Sequence, residues 1–174
     1  MQEIYVDDIG TGFPLVLVHG FLGSSAMWTP QKEFLSKHYR VITPALPGFG
    51  ESSKIKSLDT INAMAETVLE ILHKKEINKF NLLGHSMGGM IVQEMTKISG
   101  DKINKLICYA TGAIGDIPGR FEPIEVSRKK LKEEGIESTS NRISKKWFVD
   151  GKKAKYFYLC DNANKATSEE AADN

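Results

Sequence analysis

The fold of this chain is decided by one stretch of its sequence, Lys79-Phe-Asn-Leu-Leu-Gly-His-Ser-Met-Gly-Gly-Met-Ile-Val-Gln93. The stretch has the pattern of a buried strand, a tight turn and a helix, with Gly84-x-Ser86-x-Gly88 at the turn. A serine on such a turn has its hydroxyl exposed above the sheet, and the amide of the next residue is free to bind an oxyanion. The two glycines leave room where helix and strands approach closely. The pattern therefore predicts a nucleophilic serine at position 86.

Outward from this stretch, strands and helices are predicted to alternate through the first 112 residues. Alternating or continuous apolar runs predict four more strands, at residues 3–7, 14–19, 39–43 and 105–110. Helices are predicted over residues 25–36 and about 61–75, the second capped by Asp59 or Thr60. Such alternation indicates an α/β fold with a mainly parallel, doubly wound sheet and right-handed crossovers.

The character of the sequence changes near Gly112. Residues 112–119 are rich in turn-forming residues, and no strand–helix alternation follows them. Helices are predicted over about 121–134 and 138–148, and an aromatic cluster lies at 156–159. We therefore divide the chain into an α/β part, residues 1–115, and a helical segment, residues 116–174.

Composition and charge argue against several classes of partner. The net charge of the 174 residues is +1, which gives no general reason to expect nucleic acid or an anionic membrane surface. The N-terminus lacks the apolar core of a signal peptide, and the apolar runs are too short to span a bilayer. Cys108, in a predicted core strand, and Cys160 are interpreted as unpaired thiols of a reducing compartment, so a cytoplasmic location is expected.

Metal and nucleotide sites are not predicted. No cluster of cysteine, histidine or carboxylate residues has the spacing of metal ligands. Gly10-x-Gly12 and Gly48-x-Gly50 do not open a helix after a strand with the third glycine that a nucleotide loop requires, so turns are the preferred interpretation. We expect no metal and no cofactor.

Three motifs in register resemble the α/β-hydrolase superfamily, in particular its cap-bearing serine esterases, enol-lactonases and C–C bond hydrolases. The motifs are His19-Gly-Phe21 after a strand, Pro47-Gly-Phe-Gly-Glu-Ser52, and Gly84-His-Ser-Met-Gly-Gly89, and the match covers roughly residues 3–112. The resemblance implies that this chain holds the N-terminal part of that fold. The segment from residue 116 would then be the start of a helical cap inserted above the sheet.

Carried onto this sequence, the resemblance implies that Ser86 is the nucleophile and that the backbone amides of Phe21 and Met87 form the oxyanion hole. Physical chemistry agrees for Met87, because it opens a helix whose positive N-terminal end favours a developing oxyanion. Four further residues are implied to lie next to the site: His19, Gly20, His85 and Gly88. Of these, His19 is interpreted as a structural neighbour of the oxyanion hole rather than as a base.

The base that a serine nucleophile needs has no counterpart in this sequence. The family's chain order is serine, then an acid, then histidine, but all four histidines precede Ser86: His19, His38, His73 and His85. The acid and the histidine are expected beyond Asn174, so the chain is expected to be C-terminally truncated and nearly inactive by itself. Asp116 is an alternative acid, although a turn role beside Gly115 is preferred.

The sequence as a whole predicts a serine hydrolase of the α/β-hydrolase type that forms an acyl-enzyme with a small, largely apolar ester, lactone or related carbonyl substrate. Two alternatives stay open: cofactor-free haloperoxidase or acyltransferase chemistry, and a non-catalytic ligand-binding protein on the same scaffold. The expected partner is a small molecule rather than nucleic acid or a membrane. A homodimer is a further possibility, because the fifth strand would present an uncovered edge.

Overall fold

One mixed sheet runs through the computed structural model, which describes residues 3–115 and 122–174. Its five strands are β1 Val6–Ile9, β2 Pro14–Val18, β3 Arg40–Pro44, β4 Phe80–His85 and β5 Ile103–Tyr109. They lie in the order β1-β3-β2-β4-β5, with β1 antiparallel to β3 and the other pairs parallel. The predicted α/β fold with a mainly parallel sheet is confirmed.

The α-helices of the described residues are α1 Thr29–Leu35, α2 Ile61–Lys74, α3 Met87–Ser99, α4 Ile124–Ser144, α5 Phe157–Lys165 and α6 Glu169–Asp173. Single 3-10 turns lie at Ser25–Trp28, Gly50–Ser52, Gly100–Lys102, Lys145–Trp147 and Gly151–Lys153. Of the two predicted caps of α2, Thr60 is the one used, since its Oγ1 accepts a hydrogen bond from Ala63 N at 3.1 Å. Among the described residues, each helix is too short or too polar to cross a lipid bilayer.

The central strands are buried on both faces, as their continuous apolar runs predict. Val16 and Val18 of β2 belong to a cluster with apolar side chains of α2 and α3. Leu15 and Leu17, which point the other way, pack with Trp28 on the opposite face. Burying one such side chain stabilises the fold by roughly 1.5–3 kcal/mol, so the two faces together fix the position of the β4–α3 junction.

The helical segment after residue 121 docks onto the loop between β3 and α2. Helix α4 is kinked at Gly135, where φ is 77°, so it consists of the two helices that the sequence predicts. In α6, the N–H of the capping residue Ser168 donates to Gly48 O at 2.9 Å, and Glu170 Oε2 accepts from Ser57 N at 3.1 Å. The predicted boundary between residues 115 and 116 lies at the edge of residues 116–121, which are outside the described residues. The alternative acid Asp116 falls within that range, so its position is not described.

Strand β5 corrects one prediction. Cys108 was expected in a core strand, but it is exposed, and so is every residue from Asn104 to Tyr109. In the described part of the chain β5 pairs with β4 alone, so the predicted uncovered edge is present. A parallel strand becomes buried only when neighbours cover its faces, and the apolar pattern of Lys105–Ala110 carries no information about those neighbours.

Candidate active site

Ser86 lies between β4 and α3 on backbone that a serine rarely adopts. Its φ is 54° and its ψ is −121°, a conformation that costs on the order of 1–3 kcal/mol. Three hydrogen bonds to the main chain of Ser86 hold the turn: Ser86 N donates to Tyr109 O at 3.0 Å, and Ser86 O accepts from Gly89 N at 2.8 Å and from the Thr111 side-chain Oγ1 at 2.6 Å. This is the strained strand–turn–helix geometry of a nucleophile elbow.

Two glycines make this turn sterically possible. A Cβ on Gly84 would lie 2.2 Å from Gly88 O, and a Cβ on Gly88 would lie 2.3 Å from Val18 O and 2.4 Å from His19 O. These neighbours are backbone atoms, so they cannot rotate away as a side chain could. The close approach of α3 to β2 and β4 therefore requires glycine at both positions.

The loop after β2 lies directly against the serine. A Cβ on Gly20 would meet Ser86 Cβ at 2.9 Å, so Phe21 follows at once beside the site. Gly23 N donates to Gly20 O at 3.0 Å and closes the loop. Met87 is the first residue of α3, and its N–H has no carbonyl partner within the helix. Phe21 thus lines the same cavity as Ser86, and Met87 follows Ser86 directly. The role of their amides as oxyanion donors stays a prediction.

His19 is fully engaged in holding two loops. Its Nδ1 lies 2.8 Å from Gly20 O, and its Nε2 accepts the N–H of Leu46 at 2.9 Å. Only the neutral ring protonated on Nδ1 satisfies both bonds. Burial lowers its pKa to about 4, although the bond to Gly20 O opposes this shift. Both nitrogens are occupied, so His19 has no free nitrogen with which to accept a proton from Ser86.

The other histidines do not contact the serine hydroxyl through a hydrogen bond in the described structure. His85 is partly buried between Trp28 and Tyr109, and burial lowers its pKa. His38 and His73 are exposed, and the His38 ring lies 5.9 Å from the ring of Phe34 on α1. The described residues therefore bring no histidine base to Ser86.

A cavity of about 410 Å³ opens beside Ser86. The α/β part contributes Phe21 and Met27 to its wall, and the helical segment contributes Trp147, Phe148 and Cys160. Burial raises the pKa of the Cys160 thiol to about 11, so this thiol stays protonated and unreactive at neutral pH. The cavity wall thus combines aromatic and aliphatic side chains with the polar groups of Ser86, His85 and Tyr109.

A second, smaller cavity of about 160 Å³ shares Met27, His85 and Tyr109 with the first. Its remaining wall residues are His19, Trp28 and Gln31. Among the large apolar side chains near Ser86, Phe21, Met27, Trp28 and Trp147 each line one of these two described cavities.

Other residues of the larger cavity were not suggested by the sequence, namely Tyr109, Ala110, Phe148 and Cys160. Tyr109 is the last residue of β5 and Ala110 follows it, next to the end of β4, and ligands of parallel sheets bind at that edge. Their position could have been found in this way. Phe148 and Cys160 reach the cavity through tertiary docking of the helical segment, for which no local sequence signal exists.

Comparisons with known proteins bear on the family and the fold of this chain. A family model described as the alpha/beta hydrolase fold matches residues 14–129. The chain is 36% identical over 109 residues to the pimeloyl-[acyl-carrier protein] methyl ester esterase of Aliivibrio fischeri, which covers 63% of this chain and 40% of that protein. It is 34% identical over 97 residues to the (E)-2-((N-methylformamido)methylene)succinate hydrolase of Acinetobacter baylyi, covering 56% and 37%. The chain thus spans less than half the length of either relative.

Solved structures show the same likeness over nearly the whole chain. A thermophilic esterase from Thermogutta terrifontis superposes with a TM-score of 0.81 at 29% identity, covering 98% of this chain and 64% of that one. The enol-lactonase from Burkholderia xenovorans gives a TM-score of 0.85 at 23% identity, covering 98% and 67%, which bears on the fold alone.

Proposed function

This chain belongs to the α/β-hydrolase fold family, and on that premise we propose that it carries the nucleophile and the oxyanion donors of a serine hydrolase for small, largely apolar esters or lactones. The observation that carries the proposal is the backbone of Ser86, strained at φ 54° beside a cavity of about 410 Å³. Strain of this kind persists only where the surrounding structure enforces it, and it concentrates at functional sites.

The proposed reaction runs through an acyl-enzyme. Ser86 Oγ bonds to the substrate carbonyl carbon while its proton passes to a base, and the carbonyl oxygen takes up the negative charge. The amides of Phe21 and Met87 donate to that oxyanion, and loss of one such donor typically costs ~10²–10³ in rate. Collapse breaks the bond to the alcohol, which leaves with the proton. Water then attacks the acyl-enzyme, releasing the carboxylic acid and restoring Ser86.

The cavity walls support a largely apolar substrate. Phe21, Met27, Trp147 and Phe148 offer aromatic and aliphatic surface to a ligand, and a charge transferred there from water would lose its hydration without a partner. A relative at 36% identity is named a methyl ester esterase, which supports an ester as the reacting group.

The 174 residues by themselves are proposed to be a poor catalyst. No histidine follows Ser86, and the nitrogens of His19 are both hydrogen-bonded. A positioned general base typically contributes ~10²–10⁴ in rate. Acyl transfer from Ser86 should therefore be slow until a proton acceptor is supplied.

Added imidazole tests this proposal, because it can stand in for a missing histidine. We expect p-nitrophenyl acetate hydrolysis by the 174-residue chain to rise by at least about tenfold with imidazole, after subtraction of the imidazole-only rate. Ser86→Ala should show only that background, whereas Ser99→Ala at the far end of α3 should behave like the unmodified chain. Equal rates for the unmodified chain and Ser86→Ala at every imidazole concentration would refute the proposal.

A second candidate is a non-catalytic ligand-binding protein, and the specific observation in its favour is that both nitrogens of His19, the buried histidine beside the site, are already hydrogen-bonded. Such a protein would keep the cavity and the fold without using the hydroxyl. It would bind small esters in solution yet show no rescue by imidazole that depends on Ser86.

A further inference from the structure

His85 stands where the two cavities meet. It is the last residue of β4, directly before Ser86, and it lines both the cavity of about 410 Å³ and the cavity of about 160 Å³. Its Nδ1 lies 3.4 Å from the position that a Cβ on Gly20 would occupy, so the ring sits beside the loop that flanks the serine. A ligand bonded to Ser86 and reaching into the smaller cavity would pass this ring.

The ring of His85 has unused hydrogen-bonding capacity. Its contacts within residues 3–115 and 122–174 are aromatic: Trp28 edge-on at 6.5 Å between ring centroids, and Tyr109 tilted at 5.6 Å. Neither ring nitrogen has a hydrogen-bond partner among those residues, in contrast to His19, which uses both. Burial lowers the pKa of His85, so at neutral pH the ring offers one N–H donor and one lone pair.

The smaller cavity has the character of a binding site for an uncharged group. Met27 and Trp28 give it apolar walls, and the nitrogens of His19 are already satisfied. The polar groups left to a ligand among its described wall residues are His85, the buried indole N–H of Trp28, which has no hydrogen-bond partner, the exposed Gln31 and the hydroxyl of Tyr109. A ligand that desolvates the His85 ring without bonding to it would bind less tightly, because the ring nitrogens would lose water without gaining a partner.

We propose that the smaller cavity is a subsite for the part of the substrate remote from the scissile carbonyl, and that His85 is a positioning residue that hydrogen-bonds an uncharged polar group there. The matching chemistry is a ketone, amide or hydroxyl within the acyl chain of an ester or lactone. The inference rests on the proposed function, because Ser86 fixes where the scissile carbonyl lies. The subsite would favour substrates whose acyl chain carries a polar group over substrates with a plain alkyl chain.

Binding rather than turnover gives the test, because the 174-residue chain is expected to hydrolyse esters slowly. The probes are methyl hexanoate and its keto analogues, with the ketone placed at each inner carbon of the acyl chain in turn. In ligand-observed NMR titrations, we expect at least one keto analogue to bind about three- to tenfold more tightly than methyl hexanoate, the effect of one net hydrogen bond. If no keto analogue binds more tightly, the proposal fails.

Two substitutions separate a positioning role from a structural one. His85→Phe keeps an aromatic ring without nitrogen, so the keto analogue should no longer bind more tightly than methyl hexanoate. His85→Gln keeps an amide donor and should restore part of the preference. Binding of methyl hexanoate also reports that each variant is folded. A keto preference that persists in His85→Phe would overturn the proposal.

The outcome is distinguishable from failure of the proposed function. Repeating the titrations in Ser86→Ala removes the hydroxyl but leaves His85 in place, and the keto preference should remain. Imidazole rescue, in turn, depends on Ser86 and not on the acyl chain of the probe. Loss of rescue with the keto preference intact would therefore refute the serine hydrolase and leave the subsite standing, and the reverse result would refute the subsite alone.

Discussion

The residues around Ser86 leave almost no space for additional side-chain atoms. The serine is held at positive φ by hydrogen bonds from Gly89 N and Thr111 Oγ1 to its own carbonyl oxygen. Gly20, Gly84 and Gly88 sit where an added Cβ would meet atoms closer than 3.0 Å. Strain and close approach thus coincide at one turn, which positions the hydroxyl at the cavity rather than in the core.

A single added methyl group tests that crowding. Gly88→Ala would place its Cβ 2.3 Å from Val18 O, and we expect it to lower the free energy of unfolding by about 2–3 kcal/mol, as in overpacked cores. Gly100→Ala is the matched control at the other end of α3, since its Cβ meets nothing closer than 3.9 Å. It should stabilise by up to about 1 kcal/mol. Urea unfolding of both variants gives the answer, and equal effects would contradict the crowded geometry.

Among the elements, helix α4 is held in place by hydrogen bonds from its side chains to the buried carboxylate of Glu122. Glu122 precedes the helix, and its oxygens accept hydrogen bonds from Arg142 at 2.7 Å, Lys130 at 2.8 Å and Ser127 at 2.6 Å. Burial alone would raise the pKa of Glu122, but these bonds outweigh it and lower the pKa to about 2. The carboxylate therefore joins the first and last turns of the kinked helix, which ends shortly before Trp147 and Phe148 of the cavity wall.

The pH dependence of stability tests this ion cluster. The pKa of Glu122 is lower in the folded chain than its ordinary value of 4.5, so its contribution is fully present above about pH 4.5 and is lost as the pH falls towards about 2. We expect Glu122→Gln to cost about 1–3 kcal/mol at pH 7 and clearly less near pH 3. The control is Glu133→Gln, whose exposed pair with Lys129 is 3.8 Å long and should cost at most about 0.5 kcal/mol. A constant Glu122→Gln cost from pH 7 to pH 3 in urea titrations would contradict the assignment.

Features that depend on residues close together in the sequence could be predicted, whereas features that depend on contacts between distant segments could not. The β4–α3 turn, the Thr60 cap and the break at Gly135 are set by residues within a few positions, and all three appear as expected. Strand β1 lies at Val6–Ile9 rather than 3–7, because its bounds follow from pairing with β3. The positions of Phe148 and Cys160 in the cavity wall likewise depend on docking between distant segments.

On the scale of the whole molecule, two features stand apart: a cavity shared by both parts of the chain, and an open sheet edge. The cavity joins side chains from Gly20 to Cys160, so its shape depends on how the helical segment sits on the α/β part. At the open sheet edge, β5 exposes Leu106, Ile107 and Tyr109. An exposed apolar edge strand is a template for pairing with another chain.

Self-association through β5 follows as a prediction. We expect the 174-residue chain to form dimers or larger species as its concentration rises, measured by sedimentation velocity. Ile107→Lys places a charge on the exposed edge and should shift the chain towards monomer. The control is Phe34→Lys, which changes an apolar side chain of similar exposure on α1. Association that Ile107→Lys leaves unchanged, or that Phe34→Lys reduces equally, would place the contact elsewhere.

The most direct measurement of the central claim is covalent labelling of the serine. The 174-residue chain is treated with a fluorophosphonate in the presence of imidazole, and the adduct is located by intact mass and peptide mapping. The account predicts one adduct, on Ser86, which Ser86→Ala abolishes and Ser99→Ala leaves unchanged. Absence of any adduct, or an adduct that survives in Ser86→Ala, would contradict it.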